Sequence, residues 1–278
     1  MRINKQSLNE KIVGLIMIFV AVLWLIPIYF IVINSFKDLR GVVIFTEKFP
    51  DSFNFDNFIE VWKVSGFPQL FMNSMIITVV SVLGILLFSS MAGYKLSRNG
   101  GKGAHFLILY FILVLIIPFQ AIMIPLVKLL KDFSLIDNRF GMIIVYIALQ
   151  SPLAIFLYHG AVKSVPRELE DSASIDGAGP IRTFFTIILP LLGPITTTII
   201  ILNALWIWND FLMPLILITT SYKKTIPIGT TALFFGRYAN KWHLGITAIF
   251  LATIPMITFY LIAQKRIIKG VTNGSIKG

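Results

Sequence analysis

Six long apolar runs dominate the sequence, and shorter polar segments separate them. None of the six contains Asp, Glu, Lys or Arg, and they cover residues 12–33, 70–92, 104–127, 140–162, 187–208 and 244–263. A helix needs about 20 mostly apolar residues to cross the roughly 30 Å hydrocarbon core of a bilayer, and each run reaches that length. The pattern therefore predicts an all-α integral membrane protein with six transmembrane helices in one domain of 278 residues.

The composition supports a chain that lies in a membrane. Hydrophobic residues make up 56% of it and charged residues only 13%, whereas an average soluble domain carries roughly 25% charged residues. This argues against a large soluble enzyme, a disordered chain and a nucleic-acid-binding protein. The net charge of +11 fits basic loops beside lipid-facing segments. The absence of cysteine excludes disulfides, thiolate metal sites and thiol catalysis.

The loops predict an orientation. Six crossings place both termini on one side, and Lys and Arg are denser in the segments of that side than in the opposite ones. By the positive-inside rule the termini are cytoplasmic. A cleaved signal peptide is the alternative for the first run, but the run is too long and no small-residue cleavage site follows it. The outer segment 34–69 is expected to form short helices on the membrane surface.

The segment between the fourth and fifth runs predicts two short helices. Ser164 is a candidate N-cap, Pro166 suits a first turn, and acidic residues follow near the positive end of the helix dipole. Ser172, Ala173 and Ser174 are expected to present a surface of small residues.

Glycines and prolines separate the two helices of this segment. Gly177 and Gly179 can end the first helix, and Pro180 can open the second. The second helix is expected to carry one apolar stripe, and Leu189-Pro190 to turn the chain into the fifth crossing. The stripe consists of Ile181, Phe184, Phe185 and Ile188. The simplest alternative is an amphipathic hairpin that only anchors a loop at the membrane surface.

The spacing of this loop resembles the signature loop of the membrane subunits of ATP-binding-cassette (ABC) importers. That pattern is Glu-Ala-Ala, three residues, Gly, nine residues, Ile, one residue and Leu-Pro. The corresponding positions here, with every interval matched, are Asp171-Ser172-Ala173, Gly177, Ile187 and Leu189-Pro190. Asp171 and Ser172 differ from the usual Glu and Ala. Because both changes are modest in size and charge, they affect mainly the expected strength of the acidic contact with a partner.

Further segments are similar to the carbohydrate-importer branch of that family. Within this branch, a chain with six crossings and no long N-terminal extension resembles the second, smaller permease of a maltose-type heterodimer. The segments are Ser35-Phe36-Lys37, Asn73-Ser74, Tyr94 to Arg98, Pro166 to Glu170, Ile175 to Ala178, Trp206 to Pro214 and Lys269 to Gly278.

The resemblance implies a type I ABC importer permease fold, in which the helical elbow is a coupling helix seated in a cleft of an ATPase subunit. ATP closes the two ATPase subunits, the elbows move with them, and the paired permeases change from inward-facing to outward-facing. The implied coupling residues are Glu168, Glu170, Asp171, Ser172, Ala173, Asp176 and Gly177. The implied partners are a second permease, two ATPase subunits and a solute-binding protein, in a bacterial cell membrane.

The chain shows no catalytic motif of its own. Gly100 to Gly103 is a basic turn, because a phosphate-binding loop needs an earlier Gly where Leu96 stands and a Ser or Thr where Gly103 stands. His105, His159 and His243 stand apart at membrane edges. We therefore expect no cofactor on this chain, with ATP and Mg²⁺ used by the partner ATPase subunits.

Polar and aromatic side chains in or near the runs are candidates for the solute path, because sugars are bound by aromatic faces, amides and carboxylates. They are Asn73, Gln120, Gln150, Asn203, Trp206, Asn209 and Asp210. The alternative for each is a structural hydrogen bond between helices or a place in the interfacial aromatic belt. Pro118, Pro125 and Pro152 either kink helices around a cavity or only aid packing.

The outer loop 219–243 resembles the region that meets the solute-binding protein; its alternative is contact with lipid headgroups. It carries Lys223, Lys224, Phe234, Phe235, Arg237, Tyr238 and Trp242. The sequence thus predicts a non-catalytic permease of an ATP-driven sugar importer. An ABC permease for a non-sugar solute is the nearest alternative. An ion-coupled secondary carrier or a membrane enzyme is disfavoured, because the runs hold no acidic side chain and no catalytic cluster.

Overall fold

The computed structural model describes residues 5–64, 66–235 and 240–275, and within these ranges the chain is helical, with no strand. The helices are α1 (Lys5–Ser35), α2 (Leu39–Ile44), α3 (Asp56–Val64), α4 (Phe67–Arg98), α5 (Lys102–Ile116), α6 (Phe119–Asp132), α7 (Arg139–Lys163), α8 (Glu168–Ile175), α9 (Pro180–Thr183), α10 (Leu189–Leu191), α11 (Gly193–Asn209), α12 (Leu212–Leu217), α13 (Ile226–Phe235) and α14 (Trp242–Ser275). A π-helical turn covers Phe184–Ile188, and a 3₁₀ turn covers Ser221–Lys223.

The described residues contain four continuous helices that are long and apolar enough to cross a membrane, and two bent helix pairs that meet the same test together. The continuous candidates are Glu10–Ser35, Phe67–Arg98, Arg139–Lys163 and Trp242–Gln264. The six predicted runs therefore correspond to up to six crossings, four of them single continuous helices.

The third predicted span is bent before Pro118, one of the two roles that the sequence left open for that proline, and the fifth predicted span, 187–208, continues as α11 only from Gly193. α5 and α6 meet at 102°, and the helical stretch Pro180–Leu191 meets α11 at 77°. Ile117 is extended before Pro118, because a proline disfavours the helical conformation of the preceding residue and offers no amide proton. Pro125 and Pro152, by contrast, lie inside continuous helices.

The chain divides into two compact units, while the expectation of a single domain stays a prediction. The first unit comprises residues 1–67 and 229–254. In it the Nζ of buried Lys37 donates to the carbonyl oxygens of Phe45 and Thr46 at 2.9 and 3.2 Å, which fixes the end of α2. Burial lowers the pKa of Lys37 from its usual value. The predicted short helices of the outer segment are α2 and α3.

The second unit comprises residues 68–228 and 255–278. Its centre is α7, which packs against α5, α11 and α12. Tyr146 and Tyr158 of α7 are fully buried, and the Tyr158 hydroxyl donates to the Thr196 hydroxyl of α11 at 2.9 Å. Buried side chains of α7 thus form the core of this unit.

Candidate functional site

The elbow between α7 and α11 begins differently from the prediction. α7 extends to Lys163, and Ser164 is its C-cap, with a hydroxyl that donates to the Ala161 carbonyl at 2.8 Å. The N-cap residue of α8 is Arg167. The predicted N-cap role of Ser164 is therefore wrong, because the preceding helix runs on and uses the same hydroxyl.

The end of α8 agrees with the prediction. Gly177 has a φ of +77°, a conformation that L side chains rarely adopt. Its amide donates to the Ser174 carbonyl at 3.1 Å, and the Ala178 amide donates to the Ala173 carbonyl at 2.9 Å. This pair of hydrogen bonds is a Schellman motif, which satisfies the last carbonyls of the helix. Pro180 then opens α9, as expected.

The second helix of the elbow does not carry the predicted stripe. Phe184 and Ile188 are buried, but Ile181 is 71% exposed and Phe185 is 42% exposed. The π-helical turn at Phe184–Ile188 changes the angular spacing of the side chains within it, including Phe185. Ile181 lies in α9, before that turn. The chain turns into α11 at Leu192, just beyond the predicted Leu189-Pro190.

The exposed face of α8 is acidic with one apolar side chain. Glu168, Asp171, Ser172, Asp176 and Gly177 are exposed, as expected for residues that meet a partner. Ile175 beside them is 87% exposed. Ala173 is only 5% exposed and faces the protein interior, so it does not belong to the predicted surface of small residues.

Glu170 is placed differently from its acidic neighbours. Its Oε1 accepts a hydrogen bond from the Arg98 Nε at 2.6 Å, and its Oε2 accepts one from the Tyr94 hydroxyl at 2.7 Å. Both partners lie in the last turns of α4, more than 70 residues earlier in the chain. In the sequence, the segment from Tyr94 to Arg98 stands out only because it is similar to carbohydrate importers. Nothing in the sequence indicates that these residues contact Glu170.

Asn73 and Asn203, two buried candidates for the solute path, form structural hydrogen bonds. The buried Asn73 amide donates to the carbonyl oxygens of Tyr222 and Lys224, both at 2.8 Å. The buried Asn203 amide donates to the Ile199 carbonyl one turn earlier in α11, also at 2.8 Å. Both side chains therefore have a structural role that explains their polarity without contact with a transported sugar.

Three other candidates lie together at one groove. Trp206, Asn209 and Asp210 line it, with Leu202, Leu205, Phe211 and Leu212. Trp206 is 47% exposed and its ring stands nearly perpendicular to that of Tyr146, with centroids 6.2 Å apart. The groove offers two aromatic side chains, Trp206 and Phe211, with one amide and one carboxylate, and neither Gln120 nor Gln150 lines it.

Asp210 also has a structural role in this groove. Its Oδ2 accepts a hydrogen bond from the Tyr146 hydroxyl at 2.9 Å, and its Oδ1 accepts one from the Leu212 amide at 3.0 Å. It therefore joins the C-terminal end of α11 to α7 and to the start of α12.

A polar clasp at the predicted outer side was not expected from the sequence. Asp137, at a φ of +54°, accepts hydrogen bonds from the Thr219 and Thr220 amides, the Thr220 hydroxyl and the Lys223 Nζ, at 2.5 to 3.0 Å. These hydrogen bonds hold the pKa of Asp137 well below its usual range, and the largest effect comes from the Thr220 hydroxyl. The Asp-Asn pair at 137–138 is a turn signal, but its partners lie more than 80 residues away.

The clasp fixes the beginning of the outer loop predicted to meet a solute-binding protein. Tyr222 and Lys223 line a cleft with Ile136, Asp137, Asn138 and Arg139. Arg237 and Tyr238 of the same prediction lie outside the described residues. Within the described ranges, no group of three His, Asp or Glu side chains could hold a metal ion.

Comparisons with known proteins cover almost the whole chain. Residues 85–273 match the family described as "binding-protein-dependent transport system inner membrane component". A probable permease for starch degradation products from Thermoanaerobacterium thermosulfurigenes is 35% identical, over 99% of this chain and 99% of its own. A melibiose, raffinose and stachyose import permease from Bacillus subtilis is also 35% identical, over 98% of this chain and 99% of its own.

A third relative and one solved structure extend the comparison. A multiple sugar-binding transport system permease from Streptococcus mutans is 37% identical, over 92% of this chain and 93% of its own. A chain in the crystal structure of a bacterial ABC transporter involved in importing the acidic polysaccharide alginate superposes with a TM-score of 0.80. It is 23% identical and covers 95% of this chain and 98% of that one, so this likeness concerns the fold.

Proposed function

The chain belongs to the family of binding-protein-dependent transport system inner membrane components, and from this premise we propose that it is a permease subunit of an ATP-driven sugar importer. The observation that carries the proposal is the end-to-end similarity to three permeases of sugar transport systems. The family match and the apolar helices make it a multi-pass membrane protein. We further propose that both termini are cytoplasmic.

The exposed acidic face of α8 supports a coupling role. Glu168, Asp171 and Asp176 give this face a negative charge. Ile175 adds an exposed apolar side chain, whose burial against a partner is favourable. Such a surface fits a cleft with basic rims and an apolar floor on an ATPase subunit. Gly177 ends α8 at its exposed C-terminal end, so this face is accessible to a partner.

The groove beside Trp206 supports a role in passing sugar. An aromatic ring can cover the apolar face of a pyranose, while Asn209 and Asp210 offer hydrogen-bond partners for its hydroxyl groups. Asp210 already accepts from Tyr146 and the Leu212 amide, and the Asn209 Nδ2 donates to the Leu205 carbonyl at 2.8 Å. We therefore assign the direct sugar contacts mainly to the Trp206 ring and the Asn209 Oδ1. Gln120 and Gln150 remain candidates at other points of the path.

The proposal divides the work among several chains. A second permease forms the other half of the path, two ATPase subunits use ATP and Mg²⁺, and a solute-binding protein delivers the sugar. A solute-binding protein agrees with the family description. The clasped loop that starts at Thr219 is a suitable contact surface for it, since Asp137 and Lys223 hold its backbone in place.

Purification and reconstitution test this function. The chain is expected to leave the membrane with a homologous permease and an ATPase subunit, and the complex in vesicles is expected to take up radiolabelled raffinose or maltotriose only with ATP and the binding protein. Omission of the binding protein serves as the control. Uptake of phosphate or peptide but no sugar would indicate the non-sugar alternative. Ion-driven uptake by this chain alone would contradict the proposal.

A further inference from the structure

The ion pair between α8 and α4 carries an inference about how movement of the coupling helix reaches the membrane. Resting on the proposed function, we propose that Glu170 is a positioning residue that fastens α8 to the end of α4, so that the two helices move together. The sequence resemblance implies an ATPase contact for Glu170, as for its acidic neighbours. The geometry points instead to an anchor within the chain.

Both oxygens of the Glu170 carboxylate are occupied by groups of α4. Arg98 approaches Oε1 with both Nε and Nη2 at 2.6 Å, and the Tyr94 hydroxyl donates to Oε2 at 2.7 Å. The side chains of Arg98 and Glu170 are only 14% and 19% exposed. Hydrogen bonds to charged groups are shorter and stronger than neutral ones, and partial burial limits their screening by salt.

Backbone contacts extend the anchor on either side of the ion pair. The Arg98 Nη2 also donates to the carbonyl of Val165, in the connection between α7 and α8, at 2.9 Å. In return, the Arg167 Nη2 donates to the Arg98 carbonyl at the end of α4, at 3.3 Å. The two segments are therefore joined from both directions, which resists sliding as well as separation.

Aromatic and backbone packing connect this anchor to the rest of the second unit. The ring of Tyr94 lies 5.2 Å from that of Phe184, the buried first residue of the π-helical turn. Gly93, one residue earlier, lies against α7 so closely that a Cβ there would stand 2.6 Å from the Cβ of Tyr158. A displacement of α8 is thus passed through Glu170 to a part of α4 that is packed tightly against α7.

The other acidic side chains of the elbow provide the contrast. Glu168, Asp171 and Asp176 are exposed and free to meet a partner, whereas Glu170 is directed inward. Loss of an outward acid weakens the binding of the ATPase. Loss of Glu170 instead leaves binding in place and allows α8 to move without α4. The two roles therefore differ in a measurable way.

The experiment measures the number of ATP molecules hydrolysed per sugar taken up, with the complete transporter reconstituted in vesicles and raffinose or maltotriose as the transported probe. For Glu170→Gln and Arg98→Met we expect normal assembly, continued ATP hydrolysis, and a rise of about tenfold in ATP used per sugar, since each variant breaks a charge-assisted contact. Tyr94→Phe, which removes one hydrogen bond, is expected to raise the ratio by only about twofold to fivefold.

Lys95→Met is the matched control for Arg98→Met, because Lys95 is an exposed base in the same helical turns. Its ratio is expected to equal that of the wild type. A wild-type ratio in Glu170→Gln would overturn the anchor. So would an equal loss of hydrolysis and uptake, because a damaged fold lowers both without changing their ratio.

A rescue experiment covers the case in which single variants assemble poorly. The chain has no cysteine, so Arg98→Cys combined with Glu170→Cys can be joined by a bismaleimide of suitable length. Cross-linking is expected to restore the wild-type ratio, and failure to do so in an assembled complex counts against the anchor. If the wild-type transporter shows no ATP-driven uptake, the proposed function falls and the anchor with it, whereas an unchanged ratio in a working transporter removes the anchor alone.

Discussion

Gly93 of α4 lies directly against Tyr158 of α7, at a distance that leaves no room for a side chain. A Cβ at position 93 would stand 2.6 Å from the Tyr158 Cβ and 3.0 Å from the His159 nitrogen. Tyr158 is fully buried and hydrogen-bonded to Thr196, so it cannot withdraw. This contact holds the end of α4 to the central helix of the second unit.

Substitution of Gly93 is therefore expected to destabilise the chain even when the new residue favours helices. Gly93→Ala should lower the free energy of unfolding by about 1–3 kcal/mol, the usual effect of overpacking. Gly160→Ala is the control, since a Cβ there meets no atom within 4 Å, and it should be neutral or stabilising by up to about 1 kcal/mol. Thermal unfolding in detergent measures both, and equal melting temperatures would contradict the packing argument.

The elbow gives a prediction about coupling. Asp171→Lys reverses an exposed charge of α8, and Gly177→Leu forces a side chain into a left-handed conformation at a cost of about 1–2 kcal/mol. We expect both variants to insert normally into the membrane and to abolish ATP-driven sugar uptake in vesicles.

Gly179→Ala is the matched control for the glycine of the elbow, because its φ is −70° and a Cβ there meets open space. It should transport at the wild-type rate. Wild-type uptake in Asp171→Lys and Gly177→Leu would remove α8 from the coupling mechanism.

The groove at the C-terminal end of α11 gives a prediction about the sugar path. Trp206→Ala removes the larger of the two aromatic side chains that line the groove and should reduce uptake about tenfold or more, as loss of a buried aromatic contact does at binding interfaces. Trp206→Phe keeps a ring and should retain most of the activity. Trp24→Ala, on a 76% exposed side chain of α1, is the control, and a similar loss there would point to the lipid contacts of tryptophan instead.

The Asp137 clasp gives a prediction about pH. Its pKa is depressed in the folded protein, so the folded state binds fewer protons than the unfolded state below the ordinary Asp pKa. Stability therefore rises with pH across that acidic window and is constant above it. The difference in melting temperature between wild type and Asp137→Asn should be unchanged from pH 8 to about pH 5, and should shrink below about pH 4.

Asp132→Asn, an exposed acid just beyond the membrane run, controls for general effects of charge. A difference between wild type and Asp137→Asn that disappears already at neutral pH would show that Lys223 and Thr220 do not stabilise the carboxylate.

Much of the fold could be predicted from the sequence. Because charged side chains are costly in hydrocarbon, membrane-spanning segments lack them, and the six apolar runs are easily recognised. The family and its permease fold, expected from motif spacing, are confirmed by the family match and by the likeness to the alginate transporter. The end of α8 at Gly177 was also predictable, since a single glycine sets it. All of these features depend on residues that are close together in the chain.

The features that could not be predicted depend on distant partners or on small changes of helical geometry. Nothing near Glu170 distinguishes it from Glu168, and its partners Arg98 and Tyr94 are revealed only when α4 and α8 meet. The spacing of apolar residues indicates neither the π-helical turn at Phe184–Ile188 nor the exposure of Ile181 before it. Asn73 could be named as polar and central, but its role as a donor to the carbonyls of Tyr222 and Lys224 required the fold.

The sharp break before Pro118 has a consequence for the surrounding lipid. α5, with 15 residues, rises about 22 Å, less than the roughly 30 Å of an average hydrocarbon core. Its partner α6 departs at 102° and does not continue that rise. Where lipid lies beside α5, this hydrophobic mismatch is met by local thinning of the bilayer or by flanking side chains that reach the interface. We therefore expect the transport rate to depend on acyl-chain length, with shorter lipids matching α5 better than longer ones.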